Sequence, residues 1–438
     1  MSRQYKETID YLYSLTGLGI RPGLQSIKGL LKLLGNPERN LPALHIAGTN
    51  GKGSTAAMIE SVMREAGYSV GLYTSPHLTR FNERICIGGE FISDEDIVRI
   101  AAVVMEARGR LKDEKALEAT FFEVATAMAL LYFREKKVDM AVMETGLGGR
   151  LDATNIVRPL VSVITNVAMD HSAFLGSKVA DIAAEKAGII KENVPVVCGE
   201  LGYDSASVIS SRAVEVAGKE PIRLGHEFSC KVTTRGRFNY SGLKTSIKGL
   251  EPGLSGAFQL KNGALALAAL ELLSESYPRI NEEAMREGLR RVKWPGRFEL
   301  LSETPPVILD CAHNEAGAHA LAGALREYFS LPLTMTLVTG ISEDKDINGI
   351  LARLLPLSRR VILTEAGLSR AAPLTHLQKA AAAIRGDCEA EPTVNRAIVS
   401  ALKGLGQGEV LVIAGSIYVA CEAREFFSAA SAATQATG

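Results

Sequence analysis

The segment Ala47–Thr55, AGTNGKGST, constrains the fold of this chain more than any other stretch. The run Ala43–Ala47 before it is mainly apolar, and apolar residues recur at helical spacing after Ser54, so the pattern predicts a strand, a glycine loop and a helix. Such a loop suits an anion, because glycines let backbone N–H groups approach it and the new helix adds its positive end. Lys52 would then meet the outer phosphates of a nucleotide, and the Ser54 hydroxyl would meet a magnesium ion.

The loop departs from the standard nucleotide-binding pattern G-x-x-x-x-G-K-[ST]. Gly53 separates Lys52 from the following hydroxyl, and Gly48 stands only three residues before Gly51. A tight turn without a ligand is the alternative interpretation, although packing gives no reason for a lysine among these glycines. The sequence therefore predicts a phosphate site of an unusual type.

Length and charge narrow the classes of protein to consider. At 438 residues the chain exceeds one ordinary core and divides into roughly two or three domains. Lysine plus arginine and aspartate plus glutamate number 49 each, so no overall positive field favours nucleic acid as a partner. An anionic ligand must instead be bound by local groups.

Cysteine spacing and the N-terminus indicate the compartment. The six cysteines are dispersed without a C-x-x-C pair, which favours reduced thiols over a disulfide framework or a zinc site. The first residues lack the apolar core of a signal peptide, and no apolar run reaches membrane-spanning length. We therefore expect a cytoplasmic protein that has no membrane partner.

Strand-like and helix-like patterns alternate along the chain, which predicts an α/β fold with mostly parallel sheets. Residues 1–294 are expected to form a P-loop ATPase-like domain that carries a small antiparallel β element over 222–247. A Pro-Gly pair and the only tryptophan occur in Lys293–Arg297, where we place the domain boundary. Beyond it the alternation resumes, so residues 295–438 are expected to form a second, Rossmann-like α/β domain.

Four polar residues follow apolar strands at or just past their carboxyl ends, where parallel sheets bind ligands. They are Lys52, Ser75, Glu144 and His171. Glu144 ends the apolar run 138–143 and is predicted to be a magnesium ligand, with a carboxylate that bridges a loop as the alternative. His171 is less expected there because magnesium rarely takes imidazole, and taken alone it indicates a loop histidine.

Two further segments leave their roles open. Asp310–Asn314 ends the first strand of the second domain and so suits a ligand, yet Asn314 is also a good N-cap for the helix that follows. Lys186 lies in a helical pattern, where a lysine is normally a solvated surface charge. The pattern alone assigns Lys186 no role.

Eleven short motifs occur in the order found in one known family. They are AGTNGKGS, TSPHL, FNERI, TFFE, ETGLGGRLDATN, DH, EKAGI, WPGR, LDCAHN, DKD and GSIY. In this order, over residues 47–418, the chain resembles the folylpolyglutamate synthase/dihydrofolate synthase family of Mur-type ligases. The altered phosphate loop is that superfamily's own form. The chain departs from the family's usual residues at Phe258, Gly263 and Cys311, and none of these departures replaces a group that does chemistry.

The resemblance implies an enzyme that activates a carboxylate with ATP and joins it to the amine of L-glutamate, releasing ADP and phosphate. The acceptor would be a folate, dihydropteroate or both, and an acyl phosphate would be the intermediate. Two magnesium ions would serve as cofactors. The expected partners are these small molecules, and we expect a monomer.

The resemblance also implies roles for individual residues. The nucleotide-binding set is Asn50, Gly51, Lys52, Gly53, Ser54, Asn262, Arg297, Asp310 and His313. The magnesium set is Ser54, Ser75, Glu144 and His171. The set that contacts the pterin-bearing substrate is Gly23, Leu24, Gln25, Thr120, Phe121, Phe122, Glu123, Leu151, Asp152 and Ala153. Lys52, His171 and Lys186 would be catalytic, Lys186 as a carbamate, while the second domain would close over ATP and bind glutamate.

Two other functions stay open at this stage. Another Mur-type ligase, acting on a cell-wall nucleotide or peptide, would share the loop and the magnesium ligands, although TFFE, LDATN and FNERI argue against it. A P-loop nucleotide switch without ligase chemistry would need only the first domain.

Overall fold

A computed structural model describes residues 2–19, 21–234, 236–329, 334–367 and 370–436 of the chain. Two large β-sheets with accompanying helices are present, and a small three-stranded sheet lies between them in sequence. The predicted α/β class is confirmed.

The first large sheet contains the glycine loop. Its strands are β1 Ala43–Ala47, β2 Val70–Tyr73, β3 Ile85–Ile87, β4 Glu90–Phe91, β5 Met140–Glu144, β6 Val161–Ile164, β7 Val196–Cys198 and β8 Ile222–Arg223. They are ordered β4-β3-β2-β5-β1-β6-β7-β8, and every pair is parallel except those that β3 makes with β2 and β4. β1 is central and all of its residues are buried, which explains its mainly apolar sequence.

Within the described ranges, eight helices accompany this sheet. They are α1 Arg3–Ser14, α2 Gln25–Leu33, α3 Lys52–Glu65, α4 Asp94–Lys115, α5 Phe121–Lys136, α6 Ser172–Leu175, α7 Val179–Ala187 and α8 Tyr203–Ala217. Short 3-10 turns occur at Leu15–Leu18, Phe81–Arg84 and Ala153–Ile156.

The antiparallel element predicted over residues 222–247 has different boundaries in the structure. Its strands, β9 Ser229–Thr234, β10 Arg237–Ser241 and β11 Ser246–Leu250, are antiparallel as predicted, but β8 pairs in parallel with β7 of the large sheet. Two helices follow, α9 Ala257–Glu271 and α10 Glu282–Arg291. The buried Glu271 carboxylate accepts hydrogen bonds from the Tyr240 hydroxyl at 3.1 Å and from the Thr245 N–H at 2.9 Å, which ties the small sheet to α9.

The second large sheet has six strands. They are β12 Glu299–Glu303, β13 Pro306–Leu309, β14 Met335–Thr339, β15 Arg360–Thr364, β16 Glu389–Glu391 and β17 Val410–Ala414. The order is β12-β13-β17-β14-β15-β16, with only β12 antiparallel to its neighbour. Its helices are α11 Glu315–Tyr328, α12 Ile347–Leu354, α13 Leu374–Ala382, α14 Val394–Lys403 and α15 Ile417–Ala436, with a 3-10 turn at Leu355–Leu357. Helix α11 packs against α9. The carboxyl end of β13 therefore faces the part of the chain that contains the first large sheet.

Two expectations from composition can be compared with this fold. All six cysteines are free thiols, as their spacing predicts. Of the helices in the described ranges, none combines the length and the apolar character needed to cross a membrane.

Candidate active site

The glycine loop is a tight link between β1 and α3. It ends at Gly51, the N-cap of α3, which has a φ of 81°. A Cβ on Gly51 would lie 2.7 Å from Asn262 Oδ1, and a Cβ on Gly53 would lie 2.9 Å from Trp294 Nε1. The predicted strand, loop and helix are confirmed, and close contacts with later parts of the chain explain why these two positions are glycine.

Residues after β6 hold the backbone of the loop. The Asn50 N–H donates to Asn166 Oδ1 at 2.9 Å. The carbonyl oxygen of Asn50 accepts from the Thr165 hydroxyl at 2.6 Å and from the Asn166 amide at 3.0 Å. Hydrogen bonds to Thr165 and Asn166 therefore stabilise the loop conformation.

Two lysines meet at the loop. Lys52 Nζ donates to the carbonyl oxygens of Gly48 and Thr49 at 3.1 and 3.2 Å, and Lys186 Nζ donates to the same Gly48 oxygen at 2.9 Å. Burial lowers the pKa of both ammonium groups; that of Lys186 falls to about 7, with the charge of Lys52 as the second cause. Lys186 is only 3% exposed, so the expectation of a solvated surface lysine is wrong. Its helix, α7, directs the side chain into the loop rather than to water.

A buried carboxylate lies near these cations. Glu144 ends β5, is 4% exposed, and accepts a hydrogen bond from the Ser75 N–H at 3.1 Å. Burial raises the pKa of Glu144, and the charge of Lys52 opposes that rise. Among the described residues, the buried Ser75 hydroxyl has no hydrogen-bond partner. Ser54, in the first turn of α3, accepts from Gln259 Nε2 at 3.2 Å.

These oxygen atoms fit a magnesium ion better than a transition metal. The described ranges contain no group of three or more His, Cys, Asp or Glu side chains arranged to hold a metal. The predicted set has two hydroxyls, one carboxylate and one imidazole, and Mg²⁺ commonly takes one or two protein groups together with substrate phosphates and water. The Ser75 hydroxyl has no hydrogen-bond partner among the described residues, and the Glu144 carboxylate accepts a hydrogen bond from the Ser75 N–H. Both therefore have oxygen lone pairs left for such an ion.

One cavity of about 350 Å³, called here the loop cavity, gathers most of the predicted residues. Those that line it are Asn50, Gly51, Lys52, Gly53, Ser54, Ser75, Glu144, His171, Lys186, Asn262, Arg297, Asp310 and His313. A second cavity of about 470 Å³ shares Gly53, Ser75, Glu144 and Arg297 with it and continues along segment 74–83. The structure therefore brings the predicted nucleotide and magnesium sets to one place.

The end of β13 provides the helix cap that the sequence suggested and places a buried carboxylate at the loop cavity. The buried Asp310 carboxylate accepts from the N–H groups of Phe298 and Ala312, each at 2.8 Å. Burial raises the pKa of Asp310, and the charge of Arg297 opposes the rise. Asn314 Oδ1 accepts from the Gly317 N–H at 2.8 Å, so it is the N-cap of α11.

The sequence suggested no role for Asp170. In the structure it connects the part of the chain that forms the first large sheet to the part that forms the second. Its carboxylate accepts from Asn314 Nδ2 at 2.9 Å and from Lys345 Nζ at 2.7 Å, and lies 3.5 Å from His313 Nε2. Burial acts against ionisation, yet hydrogen bonding to His313 and the charges of His171 and Lys345 hold the pKa of Asp170 well below its usual range. For Lys345 the DKD motif was the only sequence signal, whereas Asn314 was marked both by the LDCAHN motif and as a helix cap.

His171 lies next to this junction. Lys345 Nζ is 3.2 Å from His171 Nε2. Burial, reinforced by the charge of Lys345, lowers the pKa of His171 to about 4, so the imidazole is neutral at pH 7. A neutral imidazole is the form that binds a metal ion.

Two acidic side chains that were predicted to contact the pterin, Glu123 and Asp152, accept hydrogen bonds from groups close to them in sequence. Glu123 and Thr120 form a capping box at the start of α5, with the Glu123 carboxylate accepting from the Thr120 N–H at 2.8 Å and from its hydroxyl at 2.9 Å. The Asp152 carboxylate accepts from the N–H groups of Gly146 and Leu147, each at 2.9 Å, and from Thr154. Asp152 therefore shapes the glycine-rich segment that follows Glu144.

The remaining residues of the predicted pterin set lie around one hydrophobic cluster. Ala153 is buried within it, and Leu24, Phe121 and Phe122 pack against it. The others lie nearby in sequence, with Leu151 and Gly23 half-buried and Gln25 exposed. No member of the pterin set lines either of the two cavities.

The neighbouring motifs TSPHL and FNERI meet the more distant motif TFFE beside Phe121. Arg84 Nε donates to His77 Nδ1 at 2.7 Å, and the Arg84 guanidinium lies 5.2 Å from the centre of the Phe121 ring. His77 Nε2 is 3.1 Å from the Tyr13 hydroxyl. Arg84 is 7% exposed, burial lowers its pKa, and within the described ranges it forms no ion pair with a carboxylate. A buried guanidinium of this kind is suited to an anionic group of a ligand.

Two family profiles match the chain. One, described as Mur ligase middle domain, covers residues 46–270, and the other, described as Mur ligase, glutamate ligase domain, covers residues 296–417. Similar proteins include the dihydrofolate synthase/folylpolyglutamate synthase of Bacillus subtilis, 36% identical over 97% of this chain and 99% of that protein. The folylpolyglutamate synthase of Lacticaseibacillus casei is 37% identical over 96% of this chain and 98% of its own length.

Solved structures agree with these matches. Mycobacterium tuberculosis folylpolyglutamate synthase complexed with ADP and AMPPCP aligns with a TM-score of 0.89 and 33% identity, over 97% of this chain and 99% of that one. Escherichia coli FolC in complex with DHPP and ADP aligns with a TM-score of 0.88 and 32% identity, over 97% and 98%.

Proposed function

The chain belongs to the folylpolyglutamate synthase/dihydrofolate synthase family of Mur ligases, and from this premise we propose how its own residues carry out the reaction. The protein is an ATP-dependent ligase that forms an amide between the carboxylate of a folate or dihydropteroate and the amine of L-glutamate. One observation supports this function above others. The glycine loop, Glu144 and the segment 310–313, from both large sheets, face a single cavity.

ATP binds in the loop cavity in this proposal. The N–H groups of Gly51 to Ser54 and the start of α3 meet the phosphates, while Lys52 neutralises the charge that gathers on the γ-phosphoryl group during transfer. Asn262, Arg297, Asp310 and His313 complete the site from later parts of the chain. Catalysis rests on positioning and charge stabilisation, since the protein itself forms no covalent bond to the phosphoryl group.

Ser54, Ser75, Glu144 and His171 would hold magnesium, with two ions expected. When bound, these ions neutralise the triphosphate and polarise the phosphoryl group that is transferred. The unpartnered Ser75 hydroxyl and the buried Glu144 carboxylate support this assignment.

Lys186 is proposed to react with carbon dioxide. The neutral amine attacks the carbon of CO₂, an N–C bond forms, and a proton leaves the nitrogen to give a carbamate. A pKa of about 7 supports the step, because about half of the amines are then uncharged at neutral pH. The carbamate would replace a cation beside Lys52 with an anion, which suits a site that binds cations.

The acceptor's carboxylate takes the γ-phosphoryl group to give an acyl phosphate. The amine of glutamate then attacks the acyl carbon, and phosphate leaves from a tetrahedral intermediate. We place the pterin end near the hydrophobic cluster against which Phe121 packs, where the Arg84 guanidinium, which forms no ion pair within the described ranges, can bind an anionic group of the substrate.

We also propose that residues 1–294 and 295–438 act as two domains and that the protein is a monomer in the cytoplasm. The gap between the two matched profiles, 270 to 296, and the start of β12 at Glu299 support a boundary near Trp294. The second domain would bind glutamate and close over ATP.

The decisive experiment measures ADP release by the purified protein with ATP, magnesium and glutamate. Dihydropteroate and a tetrahydrofolate are offered separately, which identifies the acceptor. The proposal predicts that ADP forms only when glutamate and an acceptor are both present. Equal ADP release without glutamate would favour a nucleotide switch, and turnover with a cell-wall precursor alone would favour another Mur-type ligase.

A further inference from the structure

Lys345 contacts a side chain that the proposed function assigns to magnesium. Its ammonium lies 3.2 Å from His171 Nε2 and 2.7 Å from Asp170 Oδ1. Lys345 follows β14 of the second sheet, whereas Asp170 and His171 follow β6 of the first. The side chains of Lys345 and Asp170 are 9% and 8% exposed, so water screens the ion pair between them little.

The chemistry of imidazole makes this contact incompatible with a metal at Nε2. An ammonium offers three donors and no acceptor, so His171 Nε2 must accept and carries no proton. The single proton of the neutral ring is then on Nδ1. The Nε2 lone pair is occupied by Lys345, and Nδ1 has none to offer.

Moving the ring proton does not remove the conflict. With the proton on Nε2, the Nδ1 lone pair would be free for a metal, but an N–H would point at the N–H groups of Lys345. A doubly protonated ring has no free lone pair at either nitrogen. Coordination of a metal by His171 through either nitrogen therefore requires Lys345 to move.

We propose that Lys345 and a divalent cation compete for His171, so that metal loading breaks a contact between the two proposed domains. This inference rests on the proposed role of His171 as a metal ligand. In the present arrangement the ammonium of Lys345 supplies the positive charge beside Asp170 and His171 that the metal supplies later. The contacts of Asn314 with Asn50 and Asp170 do not involve Lys345, so the domains stay joined there while the lysine is displaced.

The competition is tested by measuring how tightly Mn²⁺ binds to the full chain without nucleotide. The EPR signal of free Mn²⁺ reports the unbound fraction. The Lys345→Met variant removes the ammonium and is expected to bind Mn²⁺ about tenfold more tightly, the scale on which partners of metal ligands act. Lys244→Met, which removes an exposed lysine paired with Glu275 on the small sheet's hairpin, is the matched control and is expected to bind like the wild type. Unchanged Mn²⁺ affinity in Lys345→Met would overturn the proposal.

Loss of a positive charge also raises metal affinity through space, so the comparison is repeated in a His171→Ala background. Competition for the ring predicts that Lys345→Met gains most of its affinity only when His171 is present. An equal gain in both backgrounds would overturn the proposal. If His171→Ala alone binds the same number of Mn²⁺ ions with wild-type affinity, the ligand role in the proposed function fails as well. If it loses a site while Lys345→Met has no effect, only the present inference fails.

A second measurement determines which ring nitrogen of His171 carries the proton. In ¹⁵N NMR of the metal-free wild type, His171 is expected to be in the Nδ1–H tautomer, and Lys345→Met is expected to lose that preference. Addition of Mg²⁺ should shift the wild-type Nε2 or Nδ1 resonance and release Lys345. A crystal structure with Mn²⁺ on His171 and Lys345 Nζ still within hydrogen-bond distance of Nε2 would contradict the inference.

Discussion

Asn50 and Asn314 form a reciprocal pair of side-chain amides, in which Nδ2 of each donates to Oδ1 of the other at 3.1 and 3.0 Å. Two more bonds set the orientation of the Asn314 amide, since its Oδ1 accepts from the Gly317 N–H and its Nδ2 donates to Asp170. The Asn314 side chain, which precedes α11 beside the second large sheet, therefore contacts both the glycine loop and Asp170, the residue before His171. In the proposed function, this pair would therefore link nucleotide binding to the contact between the two proposed domains.

Asn314→Ser separates the two roles of that side chain. Serine keeps a good N-cap for α11 but is too short to reach Asn50 or Asp170. We expect the KM for ATP to rise roughly tenfold because Asn50 of the loop loses the hydrogen bonds that orient it, each worth about 1 kcal/mol, and the melting temperature to fall less than in Asn314→Ala. Asn314→Ala loses the cap as well and should also lower the unfolding free energy by about 1 kcal/mol. Steady-state kinetics and thermal melts of both variants check this, and an unchanged KM in both would contradict the link.

Lys52→Ala is expected to abolish glutamate-dependent ADP formation. By comparison with loss of one oxyanion donor, the change costs roughly 3 kcal/mol or more of transition-state stabilisation, about a hundredfold in rate. Far-UV circular dichroism should show an unchanged fold, because within the described chain Lys52 hydrogen-bonds only to loop carbonyls. Lys28→Ala, on the exposed side of α2, is the matched control. Near-normal turnover by Lys52→Ala would rule out its proposed role.

Gly51→Ala is expected to weaken ADP binding by about tenfold or more. The positive φ costs an alanine roughly 1–2 kcal/mol, and its Cβ would lie 2.7 Å from Asn262 Oδ1. Gly109→Ala is the control, because Gly109 lies within α4 and a Cβ added there would have nothing within 4 Å. That variant should gain about 0.5–1 kcal/mol of stability and bind ADP normally. Calorimetric titration with ADP distinguishes the two.

The unmodified Lys186 should make stability depend on pH. Its pKa is about 7 in the folded chain and near 10.5 in the unfolded chain, so between these values the unfolded chain binds more protons. Its contribution is therefore lost as the pH falls from 10.5 to 7, by at most about 1.4 kcal/mol for each pH unit. In CO₂-free buffer, the unfolding free energy of the wild type should rise from pH 7 to 9.5 relative to that of Lys186→Met. Parallel pH profiles for the two proteins would contradict this.

Chemical rescue tests the carbamate itself. Lys186→Ala should lose activity and regain part of it with added short carboxylates, which can occupy the space of the modified side chain. Extra electron density beyond Nζ is expected in crystals of the wild type. Absence of both rescue and density would show that the modification is not used.

Arg84→Met should raise the KM for the folate or dihydropteroate more than the KM for ATP. The change keeps the aliphatic bulk beside Phe121 but removes a buried guanidinium that no carboxylate neutralises within the described chain. Arg99→Met, which removes an exposed arginine paired with Asp96 on α4, is the control. Equal KM values for the acceptor in both variants would exclude Arg84 from the acceptor site.

Local sequence pattern was sufficient for the fold class and for much of the site. Apolar runs and helical spacing determine which segments become strands and helices, and the parallel arrangement of the strands brings their carboxyl ends to one edge. For that reason Lys52, Ser75, Glu144 and His171 line one cavity, as their positions after strands predicted. The order of the eleven motifs added the family and the ligase activity.

Only the tertiary structure decided which polar groups face which. Lys186 looked like a surface lysine because a helical period identifies an apolar face but not the loop, 138 residues away in sequence, that a polar side chain reaches. The carboxylate of Asp152 is occupied by nearby N–H and hydroxyl groups, which residue type alone does not reveal. The Asn50–Asn314 pair spans 264 residues and the Lys345–His171 contact 174. Such contacts depend on how the two large sheets and their helices pack against each other, and that arrangement is set by packing across the whole interface rather than by any local pattern.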